Sequence, residues 1–317
     1  MAYLWPQDVF SAMEKGELSA TDAFKILRDM DNLAAPNRHS NVSNTHQRVE
    51  EILRELDSLI GLTEVKKLVR EIYAFIEIQK RREKERLATE PLVLHMIFKG
   101  NPGTGKTTVA RILGKIFREM GVLSHGHLIE VERADLVGEY IGHTAQKTRE
   151  QLKKSYGGIL FIDEAYSLAR GGEKDFGKES IDVLVKAMED HKNDLILILA
   201  GYQKEMENFL QTNPGLRSRF PIHIEFPDYS HNELLQIAEQ MCTKRQYTMS
   251  EEARLSLLKI INQYQTTRNE NFGNARTIRN MIEKAIRRQA VRLIAKNSTT
   301  RQDLILIEPS DLAEVTG

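Results

Sequence analysis

The stretch Gly100-Asn101-Pro102-Gly103-Thr104-Gly105-Lys106-Thr107 constrains the fold of this chain more than any other. It matches the pattern G-x-x-x-x-G-K-[S/T]. In that pattern small residues let backbone N–H groups wrap phosphates, and the helix that follows adds the partial positive charge of its N-terminus. An apolar run from Leu92 to Phe98 precedes the match, and helically spaced Val109, Ile112 and Leu113 follow it. A strand, a loop and a helix in that order call for a parallel sheet covered by helices. Lys106 is then placed to neutralise β- and γ-phosphate oxygens. The Thr107 hydroxyl, followed by Thr108, is placed to meet Mg²⁺.

The flanking sequence supports such a sheet. Short apolar runs recur at Leu128 to Val131, Ile159 to Ile162, Leu195 to Ala200 and Ile222 to Phe226, with helical patterns between most of them. With Leu92 to Phe98 they make a mainly parallel five-stranded α/β sheet, buried on both faces. A further helical pattern, Val65, Leu68, Val69, Ile72, Phe75 and Ile76, runs ahead of the first strand. Beyond Pro227-Asp228 the strands nearly vanish, and helices are expected at His231–Tyr247, Ser250–Thr266 and Asn274–Lys296. Residues 1–33 read as two short helices, with Phe10 and Met13 in one and Phe24, Leu27 and Met30 in the other. The polar stretch from Ala34 to Asn44 reads as a linker. The expected organisation is therefore a helical extension and linker over 1–47, an α/β nucleotide-binding domain over 48–227 and a small α-helical lid over 228–317.

Ile159-Leu160-Phe161-Ile162 ends in Asp163-Glu164. A carboxylate at a buried strand end can hold Mg²⁺ through its water shell, which makes Asp163 the metal-side candidate beside Thr107. Glu164 is then free to orient and polarise an attacking water. Paired with the phosphate loop, these two acids point to nucleoside triphosphate hydrolysis rather than binding alone.

Composition narrows the alternatives. Lys plus Arg (45) equals Asp plus Glu (45), so no global field draws the chain to nucleic acid or anionic lipid. The single cysteine, Cys242, excludes an intramolecular disulfide framework and any multi-cysteine zinc site. The longest apolar run, near Leu195 to Ala200, is too short to span a bilayer, and the first residues lack a signal-peptide pattern, so a cytoplasmic location is expected. A basic helix from Asn274 to Lys296 is the one nucleic-acid candidate. Its Ile278, Met281, Ile282, Ala285 and Ile286 have core spacing, which makes its charges a solvated or subunit-facing surface.

The stretches Phe98 to Arg111 and Phe161 to Gly172, with the helical domain behind them, resemble the AAA+ ATPases. Within that family they are similar to the CbxX/CfqX branch, which holds a sporulation protein and the red-type Rubisco activase. The resemblance runs from about residue 48 nearly to the end. It implies Mg²⁺-dependent ATP hydrolysis in a ring, usually a hexamer, with ATP between neighbouring subunits. It also implies work on a protein client and a cytoplasmic role in spore development. A Rubisco-activase-like remodeller and a nucleotide-controlled binding module with slow hydrolysis are the alternatives. By the same resemblance, Ile60-Gly61-Leu62 packs the adenine and Arg219 is the arginine finger reaching a neighbour's γ-phosphate, with Arg217 its rival. Arg276, in Gly273-Asn274-Ala275-Arg276, senses γ-phosphate from the lid. Tyr140-Ile141-Gly142 is the aromatic pore loop that grips polypeptide. Tyr202 stands where most AAA+ proteins carry a short polar residue, commonly Asn, and is either a substitute for it or a packed tyrosine.

Overall fold

The computed structural model describes residues 36–312, apart from 90–91, 141, 171–175, 267–271 and 297. The chain divides into two compact units, residues 1–53 and 54–317. The paired short helices expected within 1–33 lie outside the described residues. The linker expected from Ala34 to Asn44 is corrected from Pro36 onward, because helix α1 spans Pro36–Asp57. Pro36 stands at the first helical position, where its missing N–H costs nothing, and neither Gly nor Pro follows before Gly61. Polar residues without a breaker therefore extend the helix that Val49, Leu53 and Leu56 continue on its buried face.

In the second unit, α2 (Thr63–Lys84) buries Val65, Val69, Ile72 and Ile76 along one stripe. Phe75, which shares the apolar pattern, is 49% exposed. Five strands then form one parallel sheet: β1 (Met96–Gly100), β2 (Leu128–Val131), β3 (Gly158–Ile162), β4 (Leu195–Gly201) and β5 (Ile222–Phe226). Their order is β2-β3-β4-β1-β5. Every residue of β3 and β4 is buried, as expected of inner strands covered on both faces, whereas the edge strands β2 and β5 each carry an exposed glutamate.

The first strand starts later than the apolar run suggests. Pairing opens at Met96, opposite Ile198 of β4 and Ile222 of β5. Leu94 and His95 are buried by packing without joining the ladder. His95 instead presents imidazole Nδ1 to the Leu197 N–H at 3.0 Å, so a side chain satisfies that backbone donor.

Helices α3 (Lys106–Glu119), α4 (Arg133–Leu136), α5 (His143–Ser155), α6 (Gly177–Asp190), α7 (Gln203–Thr212) and α8 (Pro214–Arg219) complete the α/β part, with a 3₁₀ turn at Ala165–Ala169. Leu136, Leu152, Leu184 and Phe209 from these helices share one core with Leu160, Leu197 and Leu199 of the sheet. The strand order has a chemical consequence. Because β4 lies between β1 and β3, its end at Gly201-Tyr202 falls between the phosphate loop and Asp163-Glu164.

The lid comprises α9 (His231–Lys244), α10 (Glu251–Thr266), α11 (Asn274–Ile294), α12 (Arg301–Ile305) and α13 (Pro309–Leu312), with a two-residue parallel pair of β6 (Thr248–Met249) and β7 (Leu306–Ile307). Ser230 opens α9 in a capping box with Glu233, whose carboxylate accepts from the Ser230 N–H at 2.8 Å. The basic face of α11 is not uniformly solvated or subunit-facing. Arg292 is held by Asp311 at 2.9 Å and Glu308 at 2.9 Å. The Asp311 side chain is 2% exposed, so burial rather than solvation governs that pair.

Candidate functional site

One cavity of about 690 Å³ opens where the sheet's C-terminal edge meets the lid. That volume lies within the usual range for small-ligand clefts, about 300–1,000 Å³. Gly100, Pro102, Gly103, Gly105, Lys106, Thr107 and Thr108 line one side, and Asp163, Glu164, Gly201 and Tyr202 line another. Leu59, Ile60 and Leu62 supply an apolar wall; Ala275, Arg276 and Arg279 approach from the lid. Residues spread across the sequence thus face one space.

The phosphate loop is held from beneath. The Thr104 hydroxyl, fully buried, donates to the Asn101 carbonyl at 2.8 Å. Asn101 turns its amide away from the cavity onto Asp228, at 2.9 Å to each carboxylate oxygen. Lys106 Nζ donates to the Gly100 and Asn101 carbonyls at 2.8 and 2.9 Å. Burial pulls the Lys106 ammonium below its ordinary range; Asp163 and Asp228 oppose that shift and Arg276 adds to it. Gly103 sits at φ +73°, and a Cβ there would collide with the Gly273 carbonyl oxygen and lie 2.8 Å from the Arg276 nitrogen. The loop and the lid therefore touch backbone to backbone.

At the end of β3, Asp163 Oδ1 accepts the Glu164 N–H at 3.0 Å. Glu164 itself is in the left-handed region, φ 47° and ψ 42°, and is exposed toward the cavity. A non-glycine residue pays about 1 kcal/mol or more for that conformation, the kind of local strain found at functional sites. Tyr202 packs its ring 6.1 Å from Tyr166, while Arg170 lies 4.7 Å over the other ring of the pair, Tyr166. Burial, followed by the Glu164 charge, pushes the Tyr166 phenol well above its usual value. Tyr202 both packs and lines the cavity, so its two readings coexist in one position.

The remaining sequence candidates fall in different places. Gly61 and Leu62 are both left-handed, at φ 63° and 56°; Leu62 is buried and lines the cavity, whereas Gly61 faces Tyr229 and Glu233. Arg219 lies outside the cavity lining, at the end of α8, and pairs with Glu189 at 2.7 Å. Arg217 is exposed on the same short helix. Tyr140 is 66% exposed, and its ring meets that of His143 edge-on, with centroids 5.5 Å apart. Ile141 lies outside the described residues, and Gly142 is the N-cap of α5. Among the described residues no group of three or more His, Cys, Asp and Glu side chains could hold a metal ion. A cation here would rest on Thr107 and Asp163, with phosphate oxygens and water completing its shell.

Sequence reasoning missed four residues. Asp228 marks a domain boundary in the sequence, yet it anchors the phosphate loop through Asn101. Tyr229 donates its hydroxyl to the Thr104 carbonyl at 3.2 Å, with its phenol pushed up to about 12 by burial and then by Glu233. Asn274, fully buried at the start of α11, bonds to Tyr229, Asp228 and Pro102. The signal was available in Gly273-Asn274-Ala275-Arg276, but only the arginine was read from it. Arg279, counted with the surface charges of its helix, lines the cavity.

Comparison with known proteins agrees with this geometry. Residues 96–228 match the model of the ATPase family associated with various cellular activities (AAA), and residues 230–317 match the AAA lid domain. Stage V sporulation protein K of Bacillus subtilis (strain 168) is 57% identical over 269 residues, covering 84% of each chain. Protein CbbX of Cereibacter sphaeroides is 50% identical over 78% of this chain and 81% of its own. The chloroplastic ribulose bisphosphate carboxylase/oxygenase activase of Cyanidioschyzon merolae is 46% identical over 84% and 91%. Among solved structures, the Thermotoga maritima RuvB Holliday junction branch migration motor superposes with a TM-score of 0.52 at 20% identity, over 82% of this chain and 70% of that one. That likeness concerns the fold alone. No helix among the described residues is long and apolar enough to cross a membrane. The chain belongs to the AAA ATPases: it is a P-loop ATPase with an AAA domain followed by an AAA lid domain.

Proposed function

We propose that the cavity is the ATP site of a ring-forming motor that remodels or threads a protein client. The observation that carries the reading is the convergence of Lys106, Thr107, Asp163, Glu164 and Arg276 on one cavity. In this reading Gly100 to Thr108 cradle the phosphates, and Leu62 with Ile60 packs the base. Thr107 and Asp163 hold Mg²⁺, whose charge would be shared with the β- and γ-phosphate oxygens. Lys106 balances the phosphate charge, Glu164 orients and polarises the attacking water, and Arg276 contacts γ-phosphate from the lid. Arg219, outside the lining of its own chain's cavity, acts on the ATP of a neighbour; such a guanidinium supplies about 10³ to 10⁵ in rate.

Members of the family usually assemble as rings, and a hexamer is the form proposed here. The exposed Tyr140 supports a polypeptide-gripping loop, because an unburied aromatic gives sequence-tolerant apolar contact. The names of the relatives suggest two settings, spore development in the cytoplasm or activation of a carboxylase, and the sporulation protein is the more similar of those reported. A second reading, a nucleotide-controlled binding module with slow hydrolysis as its timer, draws on Tyr202 standing beside Glu164 where a short polar residue is usual.

Sedimentation velocity with ATPase rates, native chain against Glu164→Gln, tests the first reading. The variant should bind ATP, form a ring-sized species and stop hydrolysing. Normal hydrolysis by Glu164→Gln would remove Glu164 from its role, and absence of assembly with ATP·Mg²⁺ would favour the binding module. Tyr140→Ala separates the two further: a threading motor loses work on its client but keeps basal hydrolysis, and a timer is indifferent.

A further inference from the structure

The phosphate loop and the lid are joined by one carboxylate between two side-chain amides. Asp228 accepts from Asn101, in the loop, at 2.9 Å on both oxygens. It also accepts from Asn274 Nδ2, at the start of α11, at 2.8 Å. The same Nδ2 donates to the Pro102 carbonyl at 3.4 Å, and Asn274 Oδ1 accepts the Tyr229 N–H at 3.0 Å. Both amide protons and the carbonyl oxygen of Asn274 are therefore engaged, in a side chain that is fully buried.

Its backbone is equally specific. Asn274 lies at φ +47°, a region that asparagine tolerates better than other side chains. The next residue, Ala275, donates its N–H to the Gly103 carbonyl at 3.3 Å, and Arg276 follows at the cavity wall. Whatever moves Asn101 or Pro102 moves two of the groups that hold Asn274. The lid helix begins at that residue, so its first turn, with Arg276, is displaced along with it.

We propose that Asn274 is a positioning residue for ATP hydrolysis: through Asp228 and Pro102 it transmits the state of the phosphate loop to the angle at which α11 presents Arg276. This rests on the reading of the cavity as the ATP site. An apolar plug of the same shape would fill the space but carry no such coupling. An amide is needed because it donates to a carboxylate and accepts from a backbone N–H at once.

The test uses the full chain in five forms: native, Asn274→Asp, Asp228→Asn, the double exchange of both, and Lys106→Ala. Thermal unfolding, kcat and KM for ATP are measured for each across pH. Asn274→Asp sets two carboxylates at hydrogen-bond distance, a pair that holds a proton more tightly than either acid alone. Its kcat should fall about tenfold at neutral pH, with KM changed by less than about threefold, and should recover as the pH drops and the pair takes up a proton. The double exchange restores a donor and an acceptor between positions 228 and 274 but leaves the Pro102 carbonyl facing a carboxylate; it should lose the new pH dependence and regain only part of kcat.

A native kcat and native pH profile for Asn274→Asp, with only the unfolding midpoint lowered, would mean that the amide merely holds the fold, and would overturn the proposal. So would a double exchange that kept the pH dependence of Asn274→Asp, because no pair of carboxylates would then account for it. Should Asn274→Asp not fold, a sixth form, Asp228→Ala, decides the matter, since it removes the oxygen that accepts from both Asn101 and Asn274: a reduced kcat with KM within about threefold of native supports the coupling, and a native kcat overturns it. Lys106→Ala separates the two levels of inference. If it keeps native ATPase, the ATP-site reading falls and takes the proposal with it. If it loses ATPase while Asn274→Asp stays native, only the proposal falls.

Discussion

Gly103→Ala is the most informative single substitution in the phosphate loop. At φ +73° an alanine pays about 1 kcal/mol in backbone strain relative to glycine. The new Cβ also collides with the Gly273 carbonyl oxygen and crowds the Arg276 nitrogen. To reach an ordinary Cβ···O separation the start of α11 must retreat by about 1 Å, because the obstacle is backbone and not a flexible side-chain end. A misplacement of about 1 Å at a reacting centre can cost about 10² in rate, or about 2.7 kcal/mol of transition-state stabilisation. Gly121→Ala serves as the control: it has a comparable φ of +63°, but its Cβ would meet nothing nearer than Lys80 Nζ at 3.9 Å. Urea unfolding should show Gly121→Ala destabilised by about 1 kcal/mol and Gly103→Ala by about 2 to 4 kcal/mol, since the backbone collision adds to the strain. Steady-state ATPase should show kcat/KM reduced about 10²-fold for Gly103→Ala and within about twofold of native for Gly121→Ala. Equal losses in the two variants, or a Gly103→Ala enzyme within threefold of native, would refute the idea that close lid contact sets the geometry of hydrolysis.

Three further outcomes follow from the buried polar groups. His95, 5% exposed and accepting from the Leu197 N–H, has its pKa lowered by burial to about 4. Its folded value lies below its unfolded one, so this contribution is present above about pH 6.5 and is lost as pH falls toward 4. It amounts to about 3 kcal/mol, and urea midpoints for His95→Gln should vary less with pH over that window than those of the native chain. Asp311→Ala takes one of two carboxylates from Arg292, which keeps Glu308, so it should cost about 1.5 to 3 kcal/mol by chemical denaturation. The double variant with Arg292→Ala should cost less than the sum of the singles. Cys242, 2% exposed and with its thiol pushed up to about 11 by burial, should resist a thiol reagent in the folded chain and react at the rate of unfolding.

The sequence by itself determined the five strands, their parallel class, the phosphate loop, the acid pair and the helical lid. Each of these is a local pattern: an apolar run bounded by breakers, a spacing of small residues, a helical repeat. It also contained the breaker-free stretch from Asn37 to Leu59, where polar composition suggested a linker but helix α1 forms from Pro36. Only the tertiary structure decided the order β2-β3-β4-β1-β5, which brings Tyr202 between Lys106 and Asp163, because strand order depends on contacts far apart in the chain. It likewise decided that β1 opens at Met96, where two neighbours offer backbone partners, although the apolar run starts at Leu92. The meeting of Asn101, Asp228 and Asn274 has no local signature at all. A buried amide is specified by the carboxylate and carbonyl that surround it, and those partners lie far from it and from each other along the chain.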